Sequence, residues 1–394
     1  MKVSFFHDVK MIEYNDDMIY SVDFGYEVWE RYLSVFEEIT VCTRVDDNDK
    51  VDISKYKLSS GKNVKFKLNR EYKSPIQFFT QRKKIKKTID NVVKESDVCI
   101  IRLPSIIGIL AAKACIEQNK PWAVEVVACC WDSLWNYGNI KGKLLAPIMY
   151  LLNKKYIRKS SHTIYVSERF LQQRYPCKGV VASASDVNII NHEFNVIEKR
   201  LNKVKSINKN QPIILGLVGS LDVEFKGHRT AIEAISKLCK EGYNVKLQCL
   251  GGGNKEKWEK LCKKLEVEDK VEFLGTLPSG QPVLEWMDKI DVFVMPSLQE
   301  GLPRSMVEAM SRGCNIIGAK TGGIPELIDD EFIFKKKDYK EMSNLIIKLI
   351  ENDTLRENQS KRNFDKSKRY SKNKIDKSRH DFWKIFRHYV EGIE

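Results

Sequence analysis

Short apolar runs alternate with helix-length amphipathic segments along almost all of the 394 residues. A strand followed by a long helical crossover re-enters its sheet parallel to itself, so this alternation dictates layered α/β structure on parallel sheets. In the first half, residues 3–7, 38–43, 98–102, 122–127 and 162–166 read as strands, with helices at 26–36, 106–118 and 143–159. In the second half the strands are 213–218, 245–250, 271–274, 292–295 and 315–318, and helices begin near Arg229, Lys255, Val283 and Arg304. Residues 192–211 carry Asn195, Asn202, Asn208 and Asn210 among scattered lysines and read as a linker. The chain is too long for one typical core. Two α/β domains are expected, residues 1–191 and 212–376, whose ligands bind beyond the carboxyl ends of the strands.

The ten cysteines do not change that picture. They form no C-x-x-C spacing, and Cys129 beside Cys130 suits neither a disulfide nor a chelate. The first eight residues read as an opening strand, not a signal peptide. Reduced thiols in a cytoplasmic protein are the expectation. No apolar run approaches the ~20 residues of a membrane span. The longest, 103–116, is interrupted by Ser105, Gly108 and Lys113 and reads as a buried helix.

The formal charge of +14 is unevenly placed. Residues 61–90 hold ten Lys/Arg against Glu71 and Asp90, a net of +8, and residues 361–380 hold nine against Asp365 and Asp376, a net of +7. In the first block Phe78, Ile85, Ile89 and Val92 fall on one helical face, with Arg82, Lys83, Lys84, Lys86 and Lys87 mostly around the others. Two readings stand: an anionic membrane surface met by this helix, or a solvated helix packing its apolar stripe on its own domain. Nucleic acid is disfavoured as a partner, because the basic blocks lack interleaved stacking aromatics and a recognised module.

Chemistry concentrates in Pro296-Ser297-Leu298-Gln299-Glu300-Gly301-Leu302-Pro303-Arg304-Ser305-Met306-Val307-Glu308-Ala309-Met310. Glu300 follows an apolar strand, and Glu308 lies eight residues later inside a helix. Gly301, Leu302 and Pro303 form the turn between them, and proline fits a helix's first turn. Backbone amides there, with the positive end of the helix dipole, make an anion site suited to phosphate. A carboxylate beside that site and another within the helix could bind hydroxyls of a sugar and of a ribose.

Glu300, seven intervening residues and Glu308, then Ala309-Met310, Gly313 and Gly322-Gly323-Ile324-Pro325-Glu326, resemble family 4 of the retaining glycosyltransferases. These are the glycosyl transferases group 1, here of the bacterial surface-polysaccharide type, and they have the GT-B fold. The resemblance extends through Gly219, Lys226-Gly227, Leu250-Gly251-Gly252-Gly253 and Phe273-Leu274-Gly275. It covers about residues 212–330 closely and the N-terminal half loosely. It implies two Rossmann-like, doubly wound parallel-sheet domains facing an interdomain cleft. A final helix, residues 377–394, would return to the first domain with Phe382, Trp383, Phe386 and Tyr389 at helical spacing.

The same resemblance assigns donor-binding residues. Gly219 ends a strand, and Lys226 can place a positive charge on a diphosphate, although an ordinary surface lysine would look the same. The family usually has an arginine directly after the first glycine. Ser220 stands there, so phosphate binding must lean on Lys226, the amides at Gly301 and Leu302, and Arg304. Gly251 and Gly252 should lie near the diphosphate, and Thr276 or Leu277 beside the base. Glu308 should accept both ribose hydroxyls; its other reading is an i,i+4 pair with Arg304. Glu300 is the catalytic candidate, stabilising positive charge at the anomeric carbon. The donor is a nucleoside-diphosphate sugar, with UDP expected and GDP or ADP open. No cofactor and no metal are implied. Asp47-Asn48-Asp49 resembles the metal-binding D-x-D of the other glycosyltransferase fold, yet it lacks a second ligand cluster and reads as a solvated turn.

Positions after strands nominate Asp8, Phe24, Gly25, Arg44, Arg102, Ser105 and Glu125 for the acceptor half. Arg102, leading into Pro104-Ser105, could hold an anion or an acceptor hydroxyl, or make a rim salt bridge. Many family members place a histidine where this chain has Glu125. That carboxylate is therefore read as a contact to sugar hydroxyls or an aid in deprotonating the acceptor. The implied activity is retaining transfer of a hexose-type sugar, by front-side attack, to a hydroxyl of a glycan or lipid-linked glycan. Capsule, exopolysaccharide or O-antigen assembly is the setting, on the inner face of the membrane. A nucleotide-sugar epimerase of the same fold, or a non-catalytic binding protein, are the other readings.

Overall fold

The computed structural model describes residues 1–394 except 15–17, 47–51, 54–55, 71, 73–74, 137–139, 188, 190–193, 206–210 and 393–394. The first half contains the strands β1 (Lys2–Tyr14), β2 (Met18–Ser21), β3 (Glu38–Val45), β4 (Lys57–Leu58), β5 (Val64–Asn69), β6 (Val98–Leu103), β7 (Trp122–Val126), β8 (His162–Tyr165) and β9 (Val180–Ser183). Its helices are α1 (Tyr26–Leu33), α2 (Pro75–Thr80), α3 (Arg82–Glu95), α4 (Ile106–Glu117), α5 (Cys130–Trp135), α6 (Ile140–Lys159) and α7 (Phe170–Arg174). After α8 (Phe194–Lys205) come β10 (Ile213–Val218), β11 (Val245–Leu250), β12 (Val271–Gly275), β13 (Val292–Met295), β14 (Asn315–Ala319) and β15 (Ile333–Phe334). The accompanying helices are α9 (His228–Lys240), α10 (Glu256–Leu265), α11 (Gln281–Lys289), α12 (Arg304–Ser311), α13 (Ile324–Leu327), α14 (Tyr339–Glu351), α15 (Asp353–Ser367) and α16 (Lys372–Glu391).

The chain divides into two compact units. One comprises Met1–Cys130, Ile148–Ala184 and Asp376–Glu394; the other comprises Trp131–Pro147 and Ser185–Ile375. The first holds a parallel sheet in the order β5-β3-β1-β6-β7-β8-β9, with β2 and β4 added antiparallel beyond the far end of β1. The second holds an all-parallel sheet in the order β12-β11-β10-β13-β14-β15. Both are α/β sheets of the expected doubly wound kind. Every residue of β13 and β14 is buried, because helices cover both faces, and such strands read as unbroken apolar runs. In each sheet the order reverses beside its first strand, between β1 and β6 and between β10 and β13. Open α/β sheets bind ligands outside the carboxyl ends of strands at such points.

From Asp376 onward the final helix α16 belongs to the first unit, where Phe382, Trp383 and Phe386 are buried. Trp383 packs on Tyr32 with ring centroids 5.6 Å apart, and Phe386 on His162 at 5.2 Å. Tyr389 remains 46% exposed.

One reading of the sequence needs correction. Residues 192–211 are not a plain linker, because α8 occupies most of them and packs within the second unit. Val196, Arg200 and Val204 form its buried face at i, i+4 and i+8. The Arg200 guanidinium donates to the carbonyls of Met287 (2.7 Å), Ile290 (2.8 Å) and Arg312 (3.0 Å), which close α11 and α12. A cation there complements the negative ends of both helices. An arginine at a core position is what disguised the helix as a polar stretch.

Of the two readings left open for the basic block 61–90, packing of the apolar stripe on its own domain is the one seen. Part of it is β5, an edge strand whose Lys65 and Lys67 point outward, a common guard against edge-to-edge pairing. Part is α3, whose Ile85, Ile89 and Val92 are all buried within the unit. Its apolar stripe is already covered. The ten cysteines are free thiols, and burial pushes Cys42 up to about 12, so it packs as an apolar side chain. Among the described residues, no helix is long and apolar enough to cross a membrane.

Candidate functional site

The loops after β10, β11 and β12 are laced to one another by their main chains. Gly219 N–H donates to the Leu250 carbonyl (2.9 Å), Leu221 N–H to Gly252 (2.8 Å), and Gly251 N–H to Gly275 (2.7 Å). Only glycine fits at Gly251, whose φ is +157° and where a Cβ would lie 2.0 Å from the Gly219 carbonyl oxygen. Ser220, Thr276 and Leu277 are exposed on the rim of this loop cluster. Leu277 is 38% exposed, an apolar surface at the end of β12.

The loop after β13 is fixed to the loop after β10. Leu298 N–H donates to the Phe225 carbonyl (2.7 Å), and Gly227 passes so close to Pro296 that a Cβ would lie 2.1 Å from its carbonyl oxygen. Lys226 Nζ thereby reaches Glu300 Oε1 at 2.8 Å, with the two side chains 26% and 11% exposed. From the other side, Gly323 N–H donates to the Gly301 carbonyl at 2.8 Å. Gly322 sits at φ +53°, where a Cβ would meet the Glu300 carbonyl oxygen at 2.0 Å. The Glu300 carboxylate is held by Lys226, and its main chain is braced by Gly322 and Gly323.

Pro303 is the residue before α12, in an extended conformation, and Arg304 opens the helix. Proline therefore stands one position earlier than a first-turn placement. The amides of Arg304, Ser305 and Met306 have no acceptor within the helix, as at any helix start. Leu302 is buried, so only its main chain is available to a ligand. Glu308 lies one turn further on and is half-buried. Burial raises its carboxyl above the usual range, with Arg304 pulling the other way. Gly219, Lys226, Gly251, Glu300, Gly301, Arg304 and Glu308 thus all sit on loops or helix starts following strand carboxyl ends.

Two neighbours were assigned no site role from the sequence. Gly322-Gly323 brace the Glu300 turn, and their paired glycines before Ile-Pro were the available signal. His228 is wholly buried at the start of α9 against Trp258, ring centroids 5.1 Å apart. Burial pushes it down to about 4, against the opposing pull of the Gly219 backbone. It is a neutral packing partner beneath the loop.

The first unit gives a different result for the expected acceptor residues. Both oxygens of Asp8 accept main-chain hydrogen bonds from α4, Ile106 N–H at 2.6 Å and Ile107 N–H at 2.9 Å. Ser105 Oγ accepts from Gly108 N–H at 2.9 Å. That helix start is capped by the protein itself. Glu125, 3% exposed, accepts from Tyr32 Oη (2.8 Å) and pairs with Arg102 Nη1 (2.7 Å). Of the readings given for Arg102, the salt bridge is the one present, and Glu125 is its partner. Phe24 is buried and stacks on Trp29 at 5.6 Å, with the Arg102 guanidinium 5.4 Å from its ring. Gly25 precedes α1 and its carbonyl accepts from Val28 N–H. Asp47-Asn48-Asp49 lies outside the described residues.

Residues 198–366 match the family model described as glycosyl transferases group 1. Protein CapJ of Staphylococcus aureus is 35% identical over 361 residues, which cover 91% of this chain and 88% of CapJ. A putative colanic acid biosynthesis glycosyltransferase of Escherichia coli, WcaL, is 35% identical over 116 residues, 27% of this chain and 28% of WcaL. The crystal structure of Anabaena HepE in complex with UDP-glucose is similar in fold, with a TM-score of 0.63 at 17% identity and full coverage of both chains. The chain belongs to the glycosyl transferases group 1 family and is a glycosyltransferase of the GT-B fold.

Proposed function

We propose that the protein moves a hexose-type sugar from a nucleoside-diphosphate donor, UDP foremost, to a hydroxyl of a lipid-linked glycan during assembly of a bacterial surface polysaccharide, with retention of anomeric configuration. One observation carries this reading. Lys226, Glu300 and the α12 amides converge where the second sheet reverses its strand order, beside Glu308. That set offers cations and amides to a diphosphate, one carboxylate to the sugar and another to the ribose. The similarity to HepE, solved with UDP-glucose, supports the uridine donor. The colanic acid relative supports the polysaccharide setting.

In this mechanism the bond between the anomeric carbon and the β-phosphate oxygen breaks first, leaving positive charge on the sugar ring. Glu300 stabilises that charge across the ring. Lys226, Arg304 and the amides at the start of α12 stabilise the departing diphosphate. Ser220 adds no charge, so Arg304 takes the second cationic role. The acceptor hydroxyl attacks from the face the diphosphate leaves, and its proton passes to a diphosphate oxygen. The new bond therefore keeps the original configuration.

Thermal denaturation with UDP, GDP and ADP tests the donor assignment. A nucleotide that binds only the folded protein raises the melting temperature by mass action. UDP should give the largest shift, and Glu308→Ala should diminish it. A melting curve indifferent to all three nucleotides would refute the proposal. Retention is read separately from the anomeric coupling constant of the product.

A further inference from the structure

The carbonyl oxygen of Leu298, two residues before Glu300, accepts hydrogen bonds from two distant places in the chain. Asn136 Nδ2 donates at 3.4 Å and Lys336 Nζ at 3.1 Å. All three residues belong to the second unit, which includes the segment Trp131–Pro147 as well as the loops after β13 and β15. Next to Asn136, Trp135 is 44% exposed, with Trp131 stacked on it at 5.4 Å and 12° between the ring planes. A tryptophan backed in this way offers a flat apolar surface at little further cost in side-chain order. Lys336 stands in the run Lys335-Lys336-Lys337, which directly follows β15, and Lys320 directly follows β14. Lys320 N–H donates to the Phe334 carbonyl at 2.7 Å, which ties the two strand ends together. The side chains of these four lysines are exposed, and among the described residues none of their ammonium groups pairs with a carboxylate. Like charges gathered without counter-charges favour the approach of an anion.

We infer that Trp135 and the lysines after β14 and β15 form an acceptor subsite for a pyranose that carries an anionic group, either a phosphate or a carboxylate. The strand order supplies the position. Thr276 and Leu277, the residues read as facing the base, follow β12; Lys226 follows β10, and Glu300 follows β13. The sheet then continues through β14 to β15. At the spacing of paired strands, those two ends lie about 5 and 10 Å past β13, on the side away from the base. A sugar next in line after the one being transferred would lie there. The inference rests on the donor reading above, which sets that order. The division of labour follows from side-chain chemistry. An indole face takes the apolar C–H face of a pyranose and is indifferent to charge, whereas lysines act as point charges that select an anion with little regard to its shape. Lys143 Nζ, 5.9 Å from the centre of the Trp135 ring, adds a further cation beside the same surface.

The test is saturation-transfer NMR on the full chain in saturating UDP, with α-D-glucose 1-phosphate, methyl glucuronide and methyl glucoside as probes. UDP fills the diphosphate site, so the phosphate probe cannot report on that one. Wild type should transfer more saturation to the ring protons of at least one anionic probe than to the neutral glucoside, and high salt should narrow the gap. The stronger of the two anionic probes identifies phosphate or carboxylate as the preferred group. Trp135→Ala should lower the transfer about ten-fold, and Trp135→Phe should keep most of it. Lys336→Ala with Lys337→Ala should lower it about five-fold for the anionic probes and leave the neutral one unchanged. All of these positions are exposed, so the variants should melt as wild type does and gain the same stabilisation from UDP. If Trp135→Ala does unfold the chain, the lysine pair carries the test. A protein that UDP stabilises but that shows no transfer to any probe overturns the inference and leaves the donor reading standing. So do anionic and neutral probes that behave alike in wild type, or a Trp135→Ala variant that binds as wild type does. A protein whose melting UDP does not move refutes the donor reading and this inference with it.

Discussion

Lys226 Nζ lies 2.8 Å from Glu300 Oε1, although the two residues come from loops following different strands, β10 and β13. Each is only partly exposed, so the pair is shielded more than an ordinary surface bridge. In the proposed reaction the lysine turns to the diphosphate and the carboxylate to the sugar ring. Glu300→Gln should therefore lower kcat by about 100-fold or more while leaving nucleotide affinity nearly intact. Lys226→Ala should instead weaken UDP binding and lower kcat/KM together. Steady-state kinetics alongside a direct UDP titration separates the two. If Glu300→Gln loses nucleotide affinity with kcat unchanged, the carboxylate is a binding group alone.

Gly322 controls the position of Glu300 without touching a substrate. At φ +53° a non-glycine residue pays about 1–2 kcal/mol for the left-handed conformation. The added methyl would also lie 2.0 Å from the Glu300 carbonyl oxygen, which must move. Gly322→Ala should lower the melting temperature by about 4 °C or more and reduce kcat further than the lost folded fraction explains. Gly242, also at positive φ but with nothing near its missing Cβ, is the control. Gly242→Ala should destabilise comparably through φ and leave turnover per folded molecule unchanged.

The loops of the second unit were legible because their geometry demands particular residue types. Backbones that approach as closely as Gly219 and Gly251, or Gly322 and Glu300, leave room only for glycine, and such demands appear in the sequence. The central strands were legible for a similar reason, since covering both faces leaves unbroken apolar runs such as 292–295. Edge strands obey a weaker rule, and the lysines of β5 read as a charge block instead of a strand. The first unit hid its logic in distant contacts. Nothing near Asp8 announces that its carboxylate caps a helix starting 98 residues later. Arg200 shows the same effect, since a charged residue in a core position erases the amphipathic pattern that would have revealed α8.

Glu308 links stability to function through its ionisation. Burial raises its carboxyl pKa in the folded chain, so the folded state holds a proton that the unfolded state has already released. The resulting stabilisation is present below the unfolded carboxylate pKa and is lost as pH rises through the raised folded value. At neutral pH the wild type keeps a half-buried charge at a net penalty. Glu308→Gln should thus match wild-type stability in mild acid and exceed it by about 1–3 °C in melting temperature near neutrality. The same variant should bind UDP more weakly, because the ribose hydroxyls lose a charged acceptor. Melting curves from acid to neutral pH, with and without UDP, resolve both effects. A stability difference that does not change with pH would contradict the assignment of the raised group.

Arg200 decides whether α8 is part of a folded unit or a passive connection. Its guanidinium is 3% exposed and serves three carbonyls. Arg200→Leu leaves those carbonyls without their donor and should destabilise the chain by about 3 kcal/mol in urea unfolding. A residue in a solvated linker would change stability by about 0.5 kcal/mol or less. Lys199→Leu, one position earlier on the exposed side, should stay within that smaller range.

Glu125 provides the sharpest division between a structural and a chemical role. Its two oxygens are engaged by Tyr32 and Arg102, and breaking one side of a buried pair leaves the other charge uncompensated. Glu125→Gln should therefore destabilise by about 3 kcal/mol while kcat per folded molecule changes by less than about 5-fold. Arg102→Met combined with Glu125→Gln should recover part of that stability, since removing both charges removes the burial penalty of each. The double-mutant cycle in urea measures the coupling, and parallel kinetics measures the chemistry. A kcat that falls 100-fold or so in a variant of unaltered stability would return Glu125 to the reacting centre.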